Sequence, residues 1–314
     1  VAKCAAVTGD GSVMGMHDVY LGQRNAEIVP VDQLAVSHGI GAGAARMYTR
    51  FFGQTAVRMC DVTHRDLLAD ALSGLVSRHP HLRGMTGVGV YAKTQTHNTF
   101  FETDWLRGLF ADVGLGHWET LTFSMTNCAS GLAAVHFAAS LGQPFILLSG
   151  EKAFHPAGNR LSVGLLGEAG VSALFAPGGR YRLRGTHVTH LPRYHVNPDD
   201  MAADDRKALQ TEFEAGLVEF LRGIVAADPA FFGCGPVVVP YNLNAPLIAR
   251  VLQAAGLDRN LAPGTDTRIG HMFCSDNYLS VARCMPAEDA SVFLFSAGHG
   301  VTFAAMKLEP AHVN

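Results

Sequence analysis

The chain has 314 residues, of which 48% are hydrophobic and 16% charged, with a formal net charge of −3. That length can bury the core of two domains or of one large α/β unit. The weak acidic balance, without any Lys/Arg run, argues against nucleic acid as a partner. Six cysteines (Cys4, Cys60, Cys128, Cys234, Cys274, Cys284) are scattered with no C-x-x-C pair, a pattern that suits the cytoplasm and predicts neither a disulfide framework nor a metal site. No apolar run reaches bilayer-spanning length and the start does not read as a signal peptide, so no membrane association is expected.

Residues 3–8 read as a short strand and residues 9–15 as a turn. Residues 31–46 are Gly/Ala-rich and predict a helix. Within them, Ser37-His38-Gly39-Ile40-Gly41-Ala42-Gly43 mimics a dinucleotide fingerprint. It follows no convincing strand and lacks an acidic ribose partner, so a Rossmann site is not expected. Leu67, Leu68, Ala71, Leu72, Leu75 and Val76 have helical spacing within residues 66–79. Then come a buried strand at 85–91, a helix at 105–113, a strand before Cys128, a helix to about 141, and strands at 144–149 and 168–175.

A second series follows: a strand at 183–190, a long amphipathic helix at 205–226, a strand at 237–239, helices at 246–255 and 276–284, and strands at 291–296 and 300–308. Alternating elements, with strands apolar on both faces, predict an α/β fold whose sheet is largely parallel and covered on both sides. The two series, residues 1–179 and 180–314, read as pseudo-equivalent halves sharing one core, since no linker separates them.

Cys128 is the most informative residue. A short strand runs into a turn at Asn127-Cys128-Ala129-Ser130-Gly131, and an Ala-rich helix begins at or just after the cysteine. The N–H groups and dipole of a helix N-terminus favour a thiolate, and the small residues leave the sulfur room for a substrate. A nucleophile for covalent catalysis fits this setting; so does a cysteine that merely fills core.

Four ordered segments decide between these. The first is the Cys128 motif. The second is Phe145-Ile146-Leu147-Leu148-Ser149-Gly150-Glu151 followed by Gly167-Glu168-Ala169-Gly170-Val171-Ser172-Ala173. The third is Val238-Val239-Pro240-Tyr241-Asn242-Leu243-Asn244, and the fourth Ile269-Gly270-His271 with Ala297-Gly298-His299-Gly300-Val301-Thr302-Phe303. Together they resemble the thiolase superfamily, most closely its ketoacyl-ACP synthase III branch. The resemblance implies two βαβαβ halves in five-layered α/β/α/β/α packing, usually a homodimer, with the active site between the halves at the end of a pantetheine tunnel. It also implies an acyl-CoA or acyl-carrier-protein thioester as substrate rather than a bound cofactor.

The departures shape the expected chemistry. Where the branch has "V-P-H-Q-A-N" its histidine position reads Tyr241, and where it has "Y-G-N" its asparagine position reads His271. Gly270-His271 is similar to the Gly-His loop of thiolases, and Asn242 or Asn244 stands for their asparagine; their second cysteine falls near Ser296, whose hydroxyl is no base. What remains suffices for acyl transfer. The resemblance implies Cys128 as nucleophile, His271 as proton carrier, Asn244 as a polar contact, and an oxyanion hole from the backbone N–H groups of Cys128 and Gly300. Loss of one such donor costs about 3–4 kcal/mol of barrier.

Each further position carries two readings. Asp276 either orients His271 or caps the helix that follows, and the cap is preferred. Asn244 either contacts the thioester or caps the helix behind Ala245-Pro246. Tyr241 donates to the substrate carbonyl or fills space, and His299 is an alternative base or narrows the tunnel. Arg160 is similar to a family arginine on the CoA nucleotide, or is an ordinary loop arginine. The family's carrier-docking arginine is replaced by Pro246, with Arg250 one turn on. Phe100, Phe101 and Trp105 line an acyl pocket or pack as core. His187, His190 and His195 read as surface histidines rather than zinc ligands.

The expected function is an acyltransferase of bacterial specialised metabolism, moving an acyl group through a Cys128 thioester onto a small hydroxyl or amine acceptor. The alternatives are a condensing enzyme forming a C–C bond and a catalytically silent subunit of a heterodimeric synthase.

Overall fold

A computed structural model describes residues 13–94, 104–124, 126–153, 160–194, 201–262, 267–284, 287, 289–298 and 301–311. The strand expected at residues 3–8 lies outside them. The described chain opens on β1 (Met14–Leu21), then a hairpin, β2 (Ala26–Pro30) and β3 (Ala56–Cys60), that brackets the short helices α1 (Val31–His38) and α2 (Ala42–Arg46). There follow α3 (His64–Arg78), β4 (Val88–Ala92), α4 (Trp105–Asp112), β5 (Glu119–Phe123), α5 (Ser130–Ala139) and β6 (Phe145–Glu151). The two-residue strands β7 (Arg160–Leu161) and β8 (Gly164–Leu165) lead to β9 (Ala169–Pro177). The second series runs through β10 (Tyr181–His190), α6 (Ala203–Ala227), α7 (Pro229–Gly233), β11 (Val237–Pro240), α8 (Ala245–Ala255), α9 (Asp276–Cys284), β12 (Val292–Gly298) and β13 (Thr302–Pro310).

Nine of these strands make one sheet in the order β5-β4-β6-β9-β1-β10-β13-β12-β11. At its middle β1 and β10 pair only through Gly15–Arg182 and Met16–Tyr181. This narrow seam requires Gly15, because a Cβ there would stand 2.4 Å from the Tyr181 carbonyl oxygen. The order β4-β6-β9-β1 on one side recurs as β11-β12-β13-β10 on the other. Even β5 has a counterpart, since Leu261 makes an isolated parallel bridge to Val238 of β11.

The sheet is mixed, not largely parallel: β4–β5, β4–β6 and β11–β12 are parallel, and the other pairings are antiparallel. A strand buried on both faces, as β6 and β9 are, shows the same unbroken apolar run whichever way its neighbours point. Gly15 and the polar His17-Asp18 pair disguise β1, so that residues 14 and 15 begin a strand where the sequence predicts a turn. The dinucleotide-like stretch is a helix–helix corner: Gly39, at φ +62°, ends α1 and Gly41 precedes α2. No strand feeds it and no long helix leaves it.

Three cores separate the layers. α5 is apolar nearly all round and is sandwiched with α9 between the two sheet halves; Ala133, Val135 and Leu279 meet Val90, Leu147 and Val171 on one side and Leu294, Ala304 and Met306 on the other. α3 and α4 cover the far face of the first half over Tyr91, Ile146 and Leu148. α6 and α8 cover the second half over Phe293, Phe295 and Phe303. The result is the five-layered α/β/α/β/α arrangement, with the starts of α5 and α9 facing each other at its centre.

Candidate active site

Cys128 sits in the 3-10 turn Asn127–Ala129 between β5 and α5 and is buried, 8% exposed. The turn is tight. Asn127 takes a left-handed φ of +49°, a conformation asparagine tolerates better than most residues. The Thr126 and Ser130 hydroxyls pair at 2.9 Å, and Ser296 Oγ on β12 donates to the Cys128 carbonyl at 2.8 Å. Gly298 packs directly on the turn, where a Cβ would stand 2.2 Å from the Thr126 carbonyl oxygen.

His271 comes from the loop preceding α9 and is fully buried. Gly270, at φ +81°, turns the chain into it. Its backbone is fastened on both sides: His271 N–H donates to Leu165 O and Gly167 N–H donates to His271 O, each at 2.8 Å. The imidazole Nε2 lies 3.0 Å from Cys128 Sγ, and Nδ1 is hydrogen-bonded to Asp276 Oδ2. A carboxylate only accepts, so Nδ1 carries a proton and Nε2 is left to exchange one with the sulfur. Burial pushes the imidazole down, but the Asp276 carboxylate and the Cys128 sulfur outweigh it and hold His271 well above the usual histidine range.

Asp276 is not the helix cap that its position suggests. It is the first residue of α9, and its carboxylate points back toward the loop. Besides His271 it accepts the N–H of Asn242 at 2.7 Å and of Met272 at 2.6 Å. Three donors on a 3%-exposed carboxylate make a rigid anchor, and the charge has its compensation inside the protein. Asn242 contributes a second tie, donating from Nδ2 to Gly270 O at 2.6 Å.

Other expected residues fall elsewhere. Asn244, at φ +56°, caps α8 by accepting the Leu247 N–H at 3.3 Å, so its side-chain oxygen serves a helix. Tyr241 is buried with its ring edge-on to His271 (centroids 6.4 Å apart) and to Phe295 (6.2 Å). Arg160 opens β7 opposite Leu165. Arg250 is an exposed ion pair with Glu214 at 2.9 Å. Trp105 packs edge-on against Tyr91 in the α3–α4 core. His190 bonds the Thr302 hydroxyl at 2.8 Å, and no cluster of three or more metal-binding side chains exists among the described residues. His299, Gly300, Phe100, Phe101 and His195 lie outside the described residues. The anchoring of Cys128 by Ser296, and of Asp276 by two backbone N–H groups, left no trace in the sequence beyond the five-residue spacing of His271 and Asp276.

No family model and no curated protein matches the sequence. Solved structures do. ChlB3, described as an acyltransferase, superposes with a TM-score of 0.80 at 14% identity, covering 95% of this chain and 98% of its own. The 3-oxoacyl-(acyl carrier protein) synthase III, FabH, of Pseudomonas aeruginosa PAO1 gives 0.72 at 14% identity over 95% and 98%. OleA of Xanthomonas campestris gives 0.74 at 11% identity over the same shares. The fold is thiolase-like. At such identities the thiolase-like scaffold is what is shared, and the Cys128–His271–Asp276 arrangement rests on this chain's own geometry. No helix among the described residues is long and apolar enough to cross a membrane.

Proposed function

We propose that the protein is an acyltransferase that carries an acyl group as a thioester on Cys128 and passes it to a hydroxyl or amine. The observation that carries this reading is His271 Nε2 at 3.0 Å from Cys128 Sγ with Nδ1 held by Asp276. Nucleophile, base and orienting carboxylate then stand in the order that acyl transfer needs.

Cys128 Sγ attacks the carbonyl carbon of an acyl-CoA or carrier-protein thioester, and its proton goes to Nε2. The tetrahedral intermediate collapses with cleavage of the old C–S bond, and the departing pantetheine sulfur takes that proton. The acceptor's O–H or N–H then attacks the Cys128 thioester and gives its proton to Nε2. That proton returns to the sulfur as the ester or amide leaves. One base serves both halves, and its tautomer is fixed throughout by Asp276.

Likeness to the ChlB3 acyltransferase supports this reading, while likeness to FabH favours condensation as the second. Condensation by decarboxylation needs two convergent donors to an enolate, and Asn244 is turned toward α8. The complete triad weighs against a silent subunit. A homodimer in the cytoplasm is part of the proposal: β5 is an edge strand, and beside it Phe137, 6.3 Å from Phe123, is 42% exposed.

Intact-mass measurement after incubation with a panel of acyl-CoAs tests the core of it. A stable adduct that Cys128→Ala abolishes is expected, followed by an ester or amide without release of CO2. CO2 from a malonyl donor transfers the assignment to condensation, and no adduct with any CoA or carrier-protein donor ends it.

A further inference from the structure

Cys128 and His271 belong to different halves, and neither loop by itself sets the distance between them. His271 is located by main-chain bonds to Leu165 and Gly167 and by the Asp276 carboxylate. Cys128 is held differently. The Thr126–Ser130 hydroxyl pair lies within its own turn and shapes it without fixing where it stands. Close packing sets how near the second half can come. A Cβ on Gly131 would stand 2.5 Å from the Cys274 carbonyl oxygen, and one on Gly298 would stand 2.2 Å from that of Thr126. Such contacts push and do not pull.

The pull comes from two hydroxyls. Ser296 Oγ, on β12, donates to Cys128 O at 2.8 Å, and the phenol of Tyr278, in the first turn of α9, donates to Gly131 O at 3.1 Å. Both side chains are buried, so removing either donor leaves a desolvated main-chain carbonyl. Burial, with the Cys274 thiol as the lesser cause, pushes the Tyr278 phenol well above the usual tyrosine range, and it stays a donor. The two donors belong to the half that supplies His271. The two acceptors belong to Cys128 itself and to the start of the helix behind it.

Resting on the acyl-transfer reading above, we infer that Ser296 and Tyr278 are positioning residues: they hold the Cys128 turn against the His271 half and so set the 3.0 Å between Sγ and Nε2. Neither acts on the acyl group itself. Packing limits how close the two halves come, and the hydroxyls limit how far apart they drift. Their effect falls on proton exchange between sulfur and imidazole, which is sensitive to distance, and not on donor binding.

Ser296→Ala removes the shorter tie. Single-turnover acylation of Cys128 is expected to slow about 10–10²-fold at unchanged affinity for the acyl donor. The His271 ring reports the same shift without any acyl group. Asp276, Cys128 and the Tyr241 ring face the imidazole, and Asp276 and the Cys128 sulfur hold it above the usual range. As the sulfur withdraws, the NMR titration of His271 is expected to move to lower pH. Tyr278→Phe keeps the ring and is expected to move both readouts the same way by less; it decides the matter should Ser296→Ala not fold. Ser172→Ala is the control. Its hydroxyl, equally buried, donates to Ala71 O at 2.6 Å under α3, so its loss costs stability but should leave rate and titration alone. A wild-type rate, or an unmoved His271 titration, in both hydroxyl variants overturns the inference, as does an equal slowing in Ser172→Ala. If the wild type takes no acyl group from any donor, it is the acyl-transfer reading that has failed, and the His271 titration still tests the spacing.

Discussion

The two halves of this molecule put their chemistry at the same topological place and do opposite things with it. α5 and α9 occupy equivalent positions between the sheet halves, and each is entered through a short 3-10 turn. The first turn carries Cys128, held by small residues, a left-handed Asn127 and neutral hydrogen bonds. The second begins just after His271 and ends at Asp276, whose buried charge gathers three donors. A repeated scaffold thus brings two helix starts together, and the asymmetry of their loops sets a cysteine on one side and a hydrogen-bonded His–Asp pair on the other.

The most severe way to break this pairing is to empty the second side. His271→Ala leaves the sulfur without a proton carrier, and turnover is expected to fall about 10²–10⁴-fold with the fold intact by circular dichroism. Asp276→Asn asks instead what the carboxylate does for the ring. Without the negative charge, burial dominates and the His271 pKa falls, so the activity limb governed by the imidazolium moves to lower pH. Stability carries the same signature. A histidine raised in the folded state stabilises fully below its ordinary value of about 6.5, and that contribution is lost as pH rises through the elevated folded value. The wild-type melting temperature is expected to fall across that window, and in Asp276→Asn the fall should be reduced.

The first side is tested sterically. Gly298→Ala places a Cβ 2.2 Å from the Thr126 carbonyl oxygen, and the Cys128 turn must move. A loss of about 1–3 kcal/mol in stability is expected by denaturant titration, with slower alkylation of Cys128. The smallest effect belongs to Asn244→Ala, which removes a cap worth about 1 kcal/mol. The rate of Cys128 acylation should be unchanged, separating this residue from the chemistry that its motif suggests.

Much of this was legible in the residues. The helix α3 announced itself by spacing, and Cys128 by its strand–turn–helix setting. The direction of the strands was not, since an apolar run such as Phe145-Ile146-Leu147-Leu148 carries no sign of its neighbours' polarity. β1 escaped because its glycine serves a close crossing with Tyr181, a contact more than 160 residues away in the chain. Asp276 illustrates the limit most sharply. An acidic residue at a helix start has a local explanation, and only the return of the Asn242 and His271 loops from elsewhere shows what its carboxylate faces.

Reciprocal main-chain bonds to Leu165 and Gly167 rivet the His271 backbone in place. In the proposed reaction, a base so immobilised cannot swing out to meet an incoming alcohol or amine, so the acceptor must deliver its own proton to one fixed point. Acceptor preference is then a property of the approach route and not of the base. Exchanging loops along that route, while sparing residues 165–167, is the way to retarget such a protein without disturbing how it loads its cysteine.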